Sequence, residues 1–147
     1  NMFKSMANSP AALQAYLGMS GALGHGLLDG KEREVVQLAI GSLNGCDYCL
    51  AAHTAIGKSV GLSEDQTIEA RRGAMKDTKL NALAKFAGAI HEKKGHVSDQ
   101  DLAAIRAAGY SDGHIAEVVA GYALALYTNY FNHVAEPAID FPPAPKA

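Results

Sequence analysis

The sequence predicts an all-α domain of about seven helices. Alanine-rich stretches alternate with glycine and small-polar breaks, no segment alternates like a strand, and apolar residues recur at helical spacing. Ser9-Pro10 opens the first helix, with proline in the first turn, where its missing N–H is no loss, and Leu13, Tyr16 and Leu17 form its apolar side. Gly18, Gly21, Gly24, Gly26 and Gly30 then read as a loose connection. A second helix runs from about Lys31 to Leu43, its apolar surface made by Val35, Val36, Leu38, Ala39 and Ile40. A cysteine-bearing helix follows, with Asn44 as N-cap and Asp47 completing the capping interaction, and it ends between Gly57 and Gly61.

Ser63-Glu64-Asp65-Gln66 has the serine-to-glutamine spacing of a capping box and opens the next helix. From Asp77 to about Lys94, residues Leu80, Leu83, Ala84, Ala87 and Ile90 form an i, i+3, i+4, i+7 ladder closed by Gly95. Ser98-Asp99-Gln100-Asp101 caps a short helix that Gly109 stops. The last helix, about Ser111 to Val134, carries apolar residues around its whole circumference, so it must be covered on all sides. In so small a domain the extra cover is expected from another subunit. The chain thus reads as one domain over residues 1–147, with a proline-rich tail from about Asp140.

Composition narrows the function. At 147 residues the chain can bury a core without help from disulfides or metal. Thirteen basic and fifteen acidic residues give a formal charge of −2 with no basic block, which argues against nucleic acid and anionic membranes as partners. No run approaches the roughly 20 apolar residues of a membrane span, and Asn1-Met2-Phe3-Lys4 is not a signal peptide. An opening on Asn1 is read as the loss of upstream residues. A lone CxxC pair is expected in a reducing cytoplasm, where it does redox or metal chemistry.

The chemistry concentrates in Asn44-Gly45-Cys46-Asp47-Tyr48-Cys49-Leu50-Ala51-Ala52-His53, which holds the only two cysteines. On a helix, positions 46, 49 and 53 fall within about 60° of arc, so two thiols and an imidazole share a face. Unpaired N–H groups of the first turn favour a thiolate, the attacking form, and on position alone Cys46 is the better placed. Against a reactive dithiol stand two buried structural cysteines, a structural disulfide that would close only a short loop, and a zinc site. The zinc reading lacks a second ligand pair, since His25, His91, His96, His114 and His133 are scattered. Glu34, between Arg33 and Val35, reads by itself as a solvated residue in its helix's first turn. Thr128-Asn129-Tyr130-Phe131-Asn132-His133 sets polar groups among aromatics; they either satisfy one another or line a pocket.

Taken together, Glu34, eleven residues, Cys46-x-x-Cys49, three residues and His53 resemble the signature of the alkylhydroperoxidase AhpD-like proteins, within the carboxymuconolactone decarboxylase superfamily. The resemblance extends to Met6-Ala7-Asn8-Ser9-Pro10, the segment from Gly57 to Arg72, and Thr128-Asn129-Tyr130-Phe131-Asn132. It implies an all-helical fold, trimeric or hexameric assembly, and thiol-dependent reduction of hydroperoxides without flavin, haem or other cofactor. Carried over by position, Cys49 attacks the peroxide, Cys46 is its disulfide partner, and Glu34 and His53 relay protons. An external dithiol, of lipoyl or thioredoxin type, restores the thiols. Some family members have a relay histidine where this chain has Tyr48, a poor base at neutral pH with its ordinary pKa near 10, so weaker turnover is expected. Tyr48 joins Asn129, Tyr130, Asn132 and His133 as candidate pocket residues. Two further classes stay open: a redox sensor or thiol-disulfide exchange protein without turnover, and a Cys/His metal-binding module.

Overall fold

In the computed structural model, which describes residues 1–147, the chain forms eight helices and no strand. They are α1 (Met2–Met6), α2 (Pro10–Gly24), α3 (Gly30–Leu43), α4 (Asp47–Ser59), α5 (Glu64–Arg72), α6 (Thr78–Glu92), α7 (Asp99–Ala107) and α8 (Asp112–Ala135). The capping signals near the helix starts carry most of this plan. Ser63, Ser98 and Ser111 each complete a reciprocal capping box, with Gln66, Asp101 and His114, and Asp77 accepts the Leu80 N–H. Asp29 forms a fourth box with Glu32.

The centre of the molecule is α3, which packs against α4, α5, α6 and α8. An unbroken run from Val35 to Gly41 is buried, because neighbours surround the helix. Val35, Leu38, Ile40, Leu83, Ala87 and Val118 are among the least exposed members of the main core. Burying seven consecutive residues on one helix fixes the axis against which the others are set, and so fixes where Glu34 projects.

Two segments differ from the sequence reading. The connection expected from Gly18 onward is helical to Gly24, and α1 adds an eighth helix before Pro10. Gly18, Gly21 and Gly24 face open space, where a Cβ would meet nothing. Glycine costs about 1 kcal/mol against alanine in a helix interior, a weak penalty that packing overrides. Here α2 lies along α8, and the Tyr127 hydroxyl donates to the Ala12 carbonyl at 3.0 Å. The same α2 buries none of its fifteen residues within one chain.

Candidate functional site

The site is built around the corner between α3 and α4. Gly45, at φ 64°, takes the left-handed conformation that glycine adopts without steric cost. Its N–H reaches the Ser42 carbonyl at 3.1 Å while the Cys46 N–H reaches Gly41 at 3.0 Å, the paired bonds of a Schellman ending. Asn44 is therefore the C-cap of α3 and not the N-cap of α4. Asn-Gly before a helix reads equally well as the end of the previous one, and here that ending wins. The N-cap is Cys46 itself, whose Sγ accepts the Cys49 N–H at 3.3 Å. Cys46 so lies just outside the first turn in which it was expected, and Cys49 lies inside it.

The two sulfurs are joined as a Cys46–Cys49 disulfide with Cα atoms 5.3 Å apart. Both residues are buried, yet they border different spaces. Cys49 lines a cavity of about 300 Å³ together with Glu34, His53 and Asn132. Cys46 lines a second, more open surface depression with Asp47, His133 and Glu136, and Tyr48 and Asn132 border both spaces.

Glu34 and His53 meet across α3 and α4, with Oε2 and Nδ1 2.7 Å apart and both side chains mostly buried. Gly57, one turn beyond His53, packs closely beside this pair: a Cβ there would crowd Leu62 Cδ1 at 3.1 Å and touch the Glu34 Cβ at an ordinary 3.7 Å. With the carboxylate accepting, the proton sits on Nδ1, so Nε2 is free to take a proton. Glu34 is thus no solvated first-turn residue.

From α8, Asn129 and Asn132 project on one face, three residues apart. The Asn44 amide donates to Asn129 Oδ1 at 2.8 Å, which ties α8 to the corner. One turn on, Asn132 Nδ2 lies 3.2 Å from Cys49 Sγ and 3.9 Å from Cys46 Sγ. Its Oδ1 is buried without a partner, as is Asn129 Nδ2.

The remaining candidates separate. The Tyr48 hydroxyl donates to Asp140 Oδ1 at 2.6 Å and accepts the Met2 N–H at 3.2 Å, and the Phe141 ring stands edge-on to it. Burial, then the Asp140 hydrogen bond, push its phenol above the ordinary value. Its ring borders the cavity, but its oxygen anchors the tail. Tyr130 is exposed and stacks on His133, and neither lines the Cys49 cavity. Asn129 is wholly buried behind it. Sequence reasoning missed Arg33, Gln37 and Glu117 in the cavity wall. Only tertiary packing brings these α3 and α8 positions together, so no local motif announces them. No three His, Cys, Asp or Glu side chains gather around one point as a metal site requires.

The sequence model of the carboxymuconolactone decarboxylase family matches residues 10–92, more than half of the chain. An uncharacterised peroxidase-related protein from Silicibacter sp. TM1040 is 26% identical, with a TM-score of 0.76 over 97% of this chain and 75% of that one. An alkylhydroperoxidase AhpD core, an uncharacterised peroxidase-related protein from Ralstonia eutropha JMP134, is 24% identical, with a TM-score of 0.81 over 94% and 73%. The debrominase Bmp8, solved with 2,3,4-tribromopyrrole, has a TM-score of 0.82 over 95% and 76% at 17% identity, a likeness of fold alone. No protein of curated function matches the sequence.

Proposed function

The chain belongs to the carboxymuconolactone decarboxylase family, and from that premise we propose that it is a thiol-dependent peroxidase reducing organic hydroperoxides through Cys49 and Cys46. The AhpD-like family and the paired cysteines support a redox role. The observation that carries the finer reading is the cavity that joins Cys49, the His53–Glu34 pair and the Asn132 amide within mostly apolar walls.

In the reduced protein the Cys49 thiolate attacks one oxygen of the hydroperoxide, the O–O bond breaks, and a Cys49 sulfenic acid forms. The leaving alkoxide takes from His53 Nε2 the proton that Cys49 gave up on becoming a thiolate, and departs as alcohol. Cys46 then attacks the sulfenic sulfur, water leaves, and the disulfide forms before further oxidation. An external dithiol, lipoyl-like or thioredoxin-like, exchanges with the disulfide, restores both thiols and leaves as its own disulfide. His53 acts through Nε2, with Glu34 holding the tautomer, a role of the kind worth roughly 10²- to 10⁴-fold in rate.

Assembly belongs to the same proposal: a homo-oligomer, trimer or hexamer, covers what one chain leaves bare. On α2 no residue is buried, and Leu17, Val119, Tyr130 and Val134 are large apolar side chains left in solvent. No helix is long and apolar enough to cross a membrane.

The deciding experiment follows turnover of an alkyl hydroperoxide with a dithiol reductant in the wild type, Cys49→Ser and Cys46→Ser. Both variants should lose catalytic turnover, with Cys46→Ser retaining a single stoichiometric reduction. Equal rates in all three end the peroxidase reading. Reversible disulfide formation without turnover assigns the pair to thiol-disulfide exchange or sensing.

A further inference from the structure

We propose that Arg33 is the headgroup-binding residue of the Cys49 cavity and that the substrates are hydroperoxides bearing a carboxylate. The inference rests on the peroxidase reading for the reacting end of the substrate and on the cavity wall for the other end.

Apart from the Ser20 and Tyr16 hydroxyls, the polar groups of that wall other than Arg33 are already engaged. Glu34 is engaged by His53, and the Asn132 amide by the sulfurs. Gln37 Nε2 donates to the Gly121 carbonyl at 3.4 Å, and the Thr128 hydroxyl donates to the Leu124 and Ala125 carbonyls. Both Glu117 oxygens accept backbone N–H groups, from Leu27 at 2.7 and 2.8 Å and from Leu28 at 3.0 Å, so its charge is directed into the loop before α3.

Arg33 stands apart. It is the only Lys or Arg in the wall, and none of the molecule's seven ion pairs includes it. Its one hydrogen bond, at 2.6 Å, goes to the Leu28 carbonyl and orients the guanidinium without neutralising it. Of its five N–H donors, four are left for a ligand. A planar fork of this kind matches a carboxylate in two parallel bonds, which lysine cannot reproduce. Ten of the twenty lining residues are hydrophobic, which suits a hydrocarbon between the acid and the peroxide. At about 300 Å³ the space lies at the small end of ligand cavities, so the fit is to short and medium chains.

The test pairs kinetics with binding on the intact, reduced protein. A medium-chain hydroperoxy acid and its methyl ester are compared as substrates for the wild type, Arg33→Gln and Arg33→Lys. Octanoate binding is measured separately by calorimetry. Losing one charge-assisted ion pair predicts a kcat/KM for the acid roughly 10- to 100-fold lower in Arg33→Gln, with the ester within twofold and Arg33→Lys in between. Octanoate affinity should fall by the same factor. Equal losses for acid and ester, or octanoate binding indifferent to Arg33→Gln, overturn the proposal. Octanoate binding that depends on Arg33, with neither hydroperoxide turned over, leaves the headgroup role standing and ends the peroxidase reading instead.

Discussion

Replacing Asn132 with leucine separates reactivity from stability. In the fold, Asn132 is buried, its Nδ2 lies 3.2 Å from Cys49 Sγ, and its Oδ1 has no partner. A side chain chosen for stability alone would not leave a buried carbonyl oxygen unsatisfied, which costs about 1–3 kcal/mol. Leucine has similar bulk and removes that orphan, so the melting temperature of the oxidised protein should hold or rise. In the reduced protein the amide is a donor to the Cys49 thiolate. A hydrogen bond to a charged group is worth about 1.5–3 kcal/mol, so its loss should raise the thiol pKa by about one to two units. Below that pKa the thiolate fraction falls about 10- to 100-fold, while the more basic thiolate is intrinsically more reactive, with a Brønsted coefficient of about 0.4–0.5. The net fall in peroxide reactivity is then roughly 3- to 16-fold at neutral pH. Thiolate absorbance and alkylation rate against pH on the Cys46→Ser background, with and without Asn132→Leu, isolate the effect. An unshifted Cys49 titration, or a variant that is less stable and equally reactive, refutes the reasoning.

Other expectations follow from the same structure. Because the Tyr48 hydroxyl binds Asp140 and the Met2 N–H, Tyr48→Phe should leave kcat/KM within about twofold and lower stability by about 1–3 kcal/mol through the buried N–H it abandons; a tenfold activity loss in steady-state assays would return the phenol to the relay. The Lys93 ammonium, with the Ser98 N–H and hydroxyl, holds Asp101 at about 2 against an ordinary 3.8. The unfolded chain therefore takes that proton first as pH falls, and the carboxylate's stabilisation is full above about 3.8 and vanishes toward 2. Melting curves of Asp101→Asn should accordingly show a flatter acid limb in that window than the wild type, and parallel limbs would count against the pairing. Sedimentation velocity across a hundredfold dilution should show an oligomer, and Leu17→Glu with Val134→Glu should weaken it; a monomer at every concentration would sink the subunit-cover argument.

What the sequence makes legible is what local chemistry determines. Ser63–Gln66 and Ser98–Asp101 work as capping boxes because the donors and acceptors involved lie within three residues of each other. The Leu80–Ile90 ladder is buried as its period requires. Asn44 was misassigned because Asn-Gly ends one helix as readily as asparagine begins another, and the three-residue link between α3 and α4 leaves both readings open. Gly18 to Gly24 is helical because contact with α8, invisible in the local pattern, outweighs a modest propensity cost. The role of Glu34 emerges only from spacing, and Arg33, Gln37 and Glu117 emerge from nothing local, since each becomes part of the cavity through the packing of α3, α4 and α8.

That packing also bears on which cysteine attacks. On helix position alone the first cysteine looked stronger, and as N-cap its sulfur does accept the Cys49 N–H. Stabilising the Cys46 thiolate in this way does not bring it a substrate, because it faces the outer depression and not the cavity. Cys49 faces the cavity with an amide donor at its sulfur and an imidazole one turn on. In the reduced protein each sulfur would thus have its own source of thiolate stabilisation, and the proposed mechanism divides their labour by access. On the proposed mechanism a peroxide entering among Glu34, His53 and Arg33 would meet Cys49 first. On the proposed mechanism the Cys46 thiolate, held at the helix start, then attacks the sulfenic acid, and in the resulting disulfide Cys46 borders the outer depression. Reductant attack at Cys46 would expel Cys49 as thiolate into the environment that stabilises it, so the cavity that favours the first step also favours the last.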